Sequence, residues 1–264
     1  MTEMTNKTLQ KTSQRMSEKG ELEPGSRLVC MTNALTRAGH GLTLAEKRLI
    51  MCAMSKLDSR DTPNPAAPPV TVITAAEYAE TFGVDTDTAY DQLQSGAKNL
   101  YNRSITFYEA ANRRNGKPLP PTKVQMRWVG SVKYQEGEGW VRLAWWHEVI
   151  HHLMGFKKQF TTYQLQQASA LRSGYSWKLL ELLMRFKSTG HAEYTIEDFA
   201  ASMDATEKQC ADFNNIRRRI IEPAIKELTE KDGWLIQWQP IKAGRKVKAV
   251  RFDFTRNPEA EPKA

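Results

Sequence analysis

His147-Glu148-Val149-Ile150-His151 is the run in this sequence whose residue types and spacing match a hydrolytic metal site. In the HExxH pattern two histidines one helical turn apart share a face and bind zinc, and the glutamate between them acts as general base. Such a site needs a long helix and a third ligand. Here the run follows Trp140–Trp146, which alternates like a strand, and Gly155 leaves few residues for a helix. His191 is a conceivable third ligand, but nothing around it fits a zincin pattern. A zinc hydrolase is therefore the remote alternative, with no catalytic or metal-binding residue assigned. Cys30, Cys52 and Cys210 are odd in number and lack CxxC spacing, against a zinc ribbon or disulfide framework and in keeping with a reducing cytoplasm. No GxxxxGK[ST] occurs, since Gly116-Lys117-Pro118 lacks both the spacing and the hydroxyl. No cofactor is expected, and an ATP-driven process would draw its ATPase from another protein.

The stronger chemistry is cationic. The 264 residues carry a net charge of +8, and Lys208 to Arg251 holds eleven Lys/Arg against five Asp/Glu. A basic excess concentrated in this way favours a polyanion. No stretch approaches the 18 apolar residues of a membrane span, and Met1–Ser26 has no apolar signal core, so no membrane role is expected. Within the basic stretch, Arg217-Arg218-Arg219 suits guanine edges, where a bidentate pair is worth roughly 1–3 kcal/mol of discrimination. Lys242, Arg245, Lys246 and Lys248 surround a turn at Ala243-Gly244 and suit phosphate.

The elements that must position these groups can be read in order. Thr43–Leu57 has helical periodicity, with Thr43 and Glu46 spaced as a capping box. Prolines 63, 65, 68 and 69 mark a loop before the β-branched Val70–Ile73. Ala75–Phe82 is a short helix stopped by Gly83, and Asp85 or Thr86 opens a second one reaching about Asn102. Strand-like runs follow at Ile105–Tyr108, Val124–Tyr134 and Trp140–Trp145, with turns at Asn115-Gly116 and Gly137-Glu138-Gly139. Helix, strand, two helices and a hairpin make a winged helix.

The order then recurs. A long helix spans Tyr163–Phe186, with a break near Ser173-Gly174. Tyr194-Thr195 is extended, Ile196–Met203 is a short helix, and Glu207–Lys231 a long one. Strands Trp234–Gln239 and Val247–Phe254 close the unit. Thr74–Phe82 aligns without gaps on Thr195–Met203, each with a capping Thr, an acid in the first turn and inward aromatic, Ala and final apolar residues. The expected fold is α+β, two tandem winged-helix domains related by internal duplication. Residues 1–27 form a flexible tail, 28–158 the first domain, 159–255 the second and main sequence-reading domain, and 256–264 a C-terminal tail. Leu28, Leu35, Leu42 and Leu49 keep heptad spacing, but Gly39-His40-Gly41 breaks any zipper.

On the second long helix Phe213, Ile216, Ile220, Ala224 and Leu228 define a buried face. Asn215, Arg219, Glu222 and Lys226 fall opposite, with Arg218 at the edge and Arg217 snorkelling from the core side. The candidate DNA contacts there are Asn215, Arg217, Arg218, Arg219 and Lys226, with Lys242, Arg245, Lys246 and Lys248 on the wing. The first domain offers Ser95, Lys98, Asn102 and Arg103, a less basic set expected to bind more weakly or mainly to backbone. Pro223 is expected to kink the helix.

Four segments, Leu42–Arg48, Glu77–Gly83, Phe160–Leu165 and Ile216–Ala224, in this order and spacing resemble the plasmid replication initiators of the Rep_3 superfamily. The resemblance runs from about Leu28 to Thr255 and places the HExxH segment where that family joins its two domains. It implies monomers that bind double-stranded origin iterons, help open the duplex and recruit the host initiator and helicase. It also implies a homodimer, in equilibrium with monomer, that binds an inverted repeat over its own promoter and represses it. Arg218 and Arg219 match the family's base-contacting positions, while Asp212 departs from the neutral or basic residue expected there. The competing reading is a winged-helix transcriptional repressor without a replication role.

Overall fold

The computed structural model describes residues 27–258, apart from 63, 65, 110–112, 115–116, 119–120 and 156–158. Most of both tails, Pro63, Pro65, the Asn115-Gly116 turn and residue 158 at the expected domain boundary lie outside the described residues.

The first half runs β1 (Leu28–Thr32), α1 (Asn33–Arg37), α2 (Leu44–Ser55), β2 (Val70–Thr74), α3 (Ala75–Phe82) and α4 (Thr86–Leu100). Strands β3 (Ser104–Glu109), β4 (Arg113–Arg114), β5 (Lys117–Pro118), β6 (Thr122–Arg127), β7 (Val129–Tyr134) and β8 (Trp140–Trp145) follow, then the single turn α5 (His147–Ile150). The second half has β9 (Phe160–Gln164), α6 (Leu165–Ser169), α7 (Gly174–Met184), β10 (His191–Thr195), α8 (Ile196–Ser202), α9 (Glu207–Cys210) and α10 (Phe213–Ile216). A π-helical turn at Arg217–Ile221 leads into α11 (Glu222–Asp232) and the hairpin β11 (Trp234–Ala243) and β12 (Lys246–Arg256).

Local chemistry fixes the helix starts. Thr43 and Glu46 form the reciprocal capping box of α2. Thr74 accepts from the Glu77 N–H at the head of α3, and Thr195 from the Asp198 N–H at the head of α8. Tyr78 and Phe199 are buried at equivalent places behind those caps, as are Phe82 and Met203. The duplication extends to topology: the sheets are ordered β2-β8-β7 and β10-β12-β11, so each strand before the short helix pairs with the last strand of its unit. The halves differ between recognition helix and wing. In the second, α11 passes through Gly233 directly into β11, whereas in the first the antiparallel ribbon β3–β6 intervenes.

Two sequence expectations are corrected. The helix expected over Tyr163–Phe186 starts as strand β9, because Phe160–Gln164 pairs antiparallel with β1 far back in the chain. The break near Ser173-Gly174 is real, Ser173 being the N-cap of α7. The helix expected over Glu207–Lys231 is broken at Asp212, which caps α10 by accepting from the Asn214 N–H, and is widened by the π turn before Pro223. Among the heptad leucines, Leu35 and Leu49 are core residues and Leu28 is exposed, so there is no zipper seam.

The two halves share one core, centred on α7, whose residues from Ser176 to Met184 are all buried. A helix apolar around its circumference belongs inside a protein. Apart from the Ser176 hydroxyl, which is buried without a hydrogen-bond partner, its buried polar members are paired. Lys47 Nζ of α2 donates to Glu181 at 2.8 Å, Tyr163 Oη donates to the same carboxylate at 3.0 Å, and Trp177 Nε1 donates to Tyr163 Oη at 2.9 Å. Lys178 Nζ donates to the Ala38 carbonyl at 2.8 Å. Asp204, just beyond α8, accepts from the His40 and Gly41 N–H groups at 3.0 and 3.1 Å. A Cβ at position 39 would stand 2.7 Å from the Asp204 carboxylate, so this approach requires glycine. Gly39-His40-Gly41 thus clasps the halves together.

Arg103 is a structural strut. Its guanidinium grips Glu46 in a bidentate pair at 2.8 and 3.0 Å, and Glu46, fully buried, also accepts from the Thr43 N–H. This gives Arg103, expected from sequence among the DNA contacts, a structural partner inside the fold. Arg103→Ala strands a buried carboxylate and is expected to cost about 3 kcal/mol, measured by urea unfolding, with the salt dependence of DNA binding unchanged. Lys178 supplies a pH signature. Burial, then the neighbouring Lys47 charge, lowers its pKa to about 7. Between there and the ordinary lysine value the unfolded chain binds a proton that the folded chain lacks, so this group makes stability rise with pH. Urea titrations from pH 7 to 10 should show that rise in the native chain and a flatter profile in Lys178→Met.

Candidate nucleic-acid interface

The second module presents the denser set of cations. Ile216, Ile220, Ile221, Ala224 and Leu228 anchor the recognition helix in the core, and Arg218 and Arg219 stand exposed on its other side. Arg217 is half-buried, with Nε 3.4 Å from the Glu222 carboxylate. Lys226 is exposed and lies 3.9 Å from Glu230, one turn on. Asn215 is half-buried, and its amide donates to the Lys208 carbonyl at 3.1 Å, which ties it to the preceding turn.

The β11–β12 hairpin carries the rest. Gly244, with φ of +61°, makes the tight turn between Ala243 and Lys246, a conformation that side chains resist. Lys242, Arg245, Lys246 and Lys248 are all exposed around it. The register steps from Ile241↔Ala249 to Lys242↔Val247, leaving Lys248 as the extra residue of a bulge. Helix arginines can reach base edges in a major groove, while flexible hairpin cations suit the phosphates beside it.

The long-helix face of the first module is less basic, and the turn of its wing is acidic. On α4, Ser95 and Lys98 are exposed, as is Asn102 just after it; Ser95 Oγ donates to the Gln92 carbonyl, and the Lys98 ammonium lies 5.8 Å from the Tyr134 ring centroid. The turn between β7 and β8 exposes Glu136 and Glu138, which repel phosphate. Glu138 lies in the Gly137-Glu138-Gly139 turn and Glu136 directly before it, so this contrast was open to a reading of the sequence. Lys123 and Arg127, absent from the residues expected to contact DNA, lie on the exposed side of the β3–β6 ribbon, where the Arg127 guanidinium lies 5.0 Å above the Tyr101 ring. Their alternation with Val124 and Met126 was the available signal.

The HExxH segment lies at a short helical turn after β8. It occupies a four-residue helix whose Val149 and Ile150 are buried. Glu148 accepts from Trp146 Nε1 at 3.3 Å, and His191 Nδ1 contacts the Thr189 carbonyl on the second module. Among the described residues no group of three or more His, Cys, Asp or Glu is placed to hold a metal ion. None of their helices is long and apolar enough to cross a membrane.

Comparison with known proteins agrees with this architecture. The pattern of the initiator replication protein WH1 domain matches residues 28–184, and that of the initiator Rep protein WH2 domain matches 195–254. The PI protein of Escherichia coli is 24% identical over 250 residues, covering 84% of this chain and 80% of its own. An uncharacterized 27.6 kDa protein of the same organism is 24% identical over 224 residues, covering 82% of this chain and 91% of its own. The crystal structure of the Pi initiator protein in complex with iteron DNA superposes with a TM-score of 0.71 at 20% identity, over 89% of this chain and 99% of that one. With both winged-helix domains matched in order, the chain belongs to the family of initiator replication (Rep) proteins.

Proposed function

We propose that this chain initiates plasmid replication by binding directly repeated double-stranded iterons, the second module reading sequence and the first adding backbone contacts. The observation that carries the reading is the pairing of two exposed arginines, Arg218 and Arg219, with the exposed cations of the adjoining hairpin. Base-edge and phosphate contacts are then offered by consecutive elements of one module. Ser95, Lys98 and Asn102 supply the first module's share, and Lys226 the far end of the second recognition helix. Asn215 and Arg217 act mainly by shaping the helix, since each is held by a partner within it or beside it.

Belonging to the initiator family motivates the wider part of the proposal. Bound monomers help open the adjacent duplex and recruit the host initiator and helicase. A homodimer binds an inverted repeat over the chain's own promoter and represses it. A repressor without a replication role would use the same contacts, and an array of direct repeats beside the gene, spaced to keep successive modules on one groove phase, distinguishes the initiator.

Gel-shift titrations against the upstream repeats and against random duplex, over a range of salt, test the DNA contacts. Arg219→Ala should lose about 1–3 kcal/mol of specific affinity and leave random-DNA binding nearly intact. Lys246→Ala should weaken both and reduce the salt slope by about one. Equal losses on both DNAs for the two variants would refute the division of roles.

A further inference from the structure

The recognition helix of the second module is not a continuous α-helix, and the departure lies under its arginines. Ile216, Ile220, Ala224 and Leu228 are all at most 1% exposed, at a strict spacing of four. In an α-helix a four-residue step overshoots a full turn by about 40°, so three steps would carry the buried stripe about 120° around the axis. An apolar stripe with this spacing stays on one face only if the helix is locally underwound. The π turn at Arg217–Ile221 does this, adding about one residue to a single turn. Ile220 and Ile221 consequently both point into the core, and Arg218 and Arg219 both stand out on the opposite side.

Two features hold the turn open. Pro223 has no N–H, and in an α-helix its ring would press on the carbonyl of Arg219, four residues back. A wider turn relieves that contact. The Glu222 N–H, next in line, donates to the Arg217 carbonyl five residues back. The side chains of the same two residues form the ion pair between Arg217 and Glu222, at the five-residue spacing that a π turn brings together. In the first module the equivalent helix, α4, is regular from Thr86 to Leu100 and has no proline.

We propose that this π turn is the specificity-determining device of the second module. Pro223 and Glu222 act as positioning residues that keep Arg218 and Arg219 side by side toward the bases while the isoleucines stay buried. The inference rests on the DNA-reading role proposed above. It predicts that relaxing the turn scrambles base readout without weakening general attraction to DNA.

The test uses the full chain and duplexes carrying its upstream repeats or random sequence. Pro223→Ala restores an N–H and removes the ring, allowing an α turn to form and rotating the segment before it by about 100° relative to α11. Affinity for the repeats is expected to fall about ten- to hundredfold, with random-duplex affinity and salt slope unchanged and guanine-methylation interference shifted at the contacted bases. A purely structural role would instead lower thermal stability and leave the ratio of specific to random binding alone. Glu222→Ala keeps the proline and should lower the same ratio severalfold, although losing a negative charge favours DNA. If Pro223→Ala fails to fold, the ratio measured for Glu222→Ala decides the matter. Unchanged ratios and interference patterns, in a native chain that prefers its repeats, overturn this inference and leave the proposed function standing. A native chain with no such preference sinks both.

Discussion

A carboxylate sealed in the middle of the molecule holds its two halves to one geometry. Glu181 is fully buried and receives the Lys47 ammonium from the first half and the Tyr163 hydroxyl from β9, and Trp177 braces that hydroxyl in turn. Removing two charges from water costs several kcal/mol per ion, offset only where geometry is good and remaining lone pairs are satisfied. A hydrophobic pair could fill the space as stably. The ionic version is directional, and mispacked alternatives would strand Glu181 or Lys47 without a partner. Such a network favours one docking of α2 against α7 over its neighbours, and the Asp204 clasp on Gly39-His40-Gly41 reinforces it from the other side.

On that frame the duplicated modules have diverged in charge and in helix geometry. Both keep a capped short helix, a three-stranded sheet of the same order and a recognition helix ahead of a wing. The first wing exposes Glu136 and Glu138 and the second exposes a ring of lysines and arginines. Charges of opposite sign at equivalent places cannot both favour phosphate. This contrast supports the proposed division of roles, in which the second wing holds phosphate and the arginines of its helix discriminate bases. The ribbon inserted before the first wing shows the same divergence in the backbone.

Much of this was legible in the sequence because it depends on local rules. Thr43 with Glu46, Thr74 and Thr195 announce helix starts through hydrogen bonds spanning three residues, and Gly83 announces a stop. Illegible parts were those decided at long range. Phe160–Gln164 looks helical when joined to the apolar run that follows, and becomes a strand because β1 offers it a ladder. Arg103 looks like a free cation until Glu46 is brought beneath it. In the recognition helix, angular stepping separated the exposed arginines from the core correctly. It could not show the π turn, since a fixed step of about 100° per residue assumes a regular α-helix.

The placement of α7 also bears on how two weak sites become one strong one. Two modules on a slack linker gain affinity through an effective concentration that the linker's freedom dilutes. Here α7, which follows β9 and α6 in the second half, is packed into the core shared with the first half, and the family's WH1 match itself extends through residue 184. Little conformational freedom remains to be lost when the second module engages after the first. On the proposed reading the first module can then contribute usefully, because each modest contact is added to a complex already oriented by the second. Loosening that core should therefore weaken DNA binding although its residues are buried.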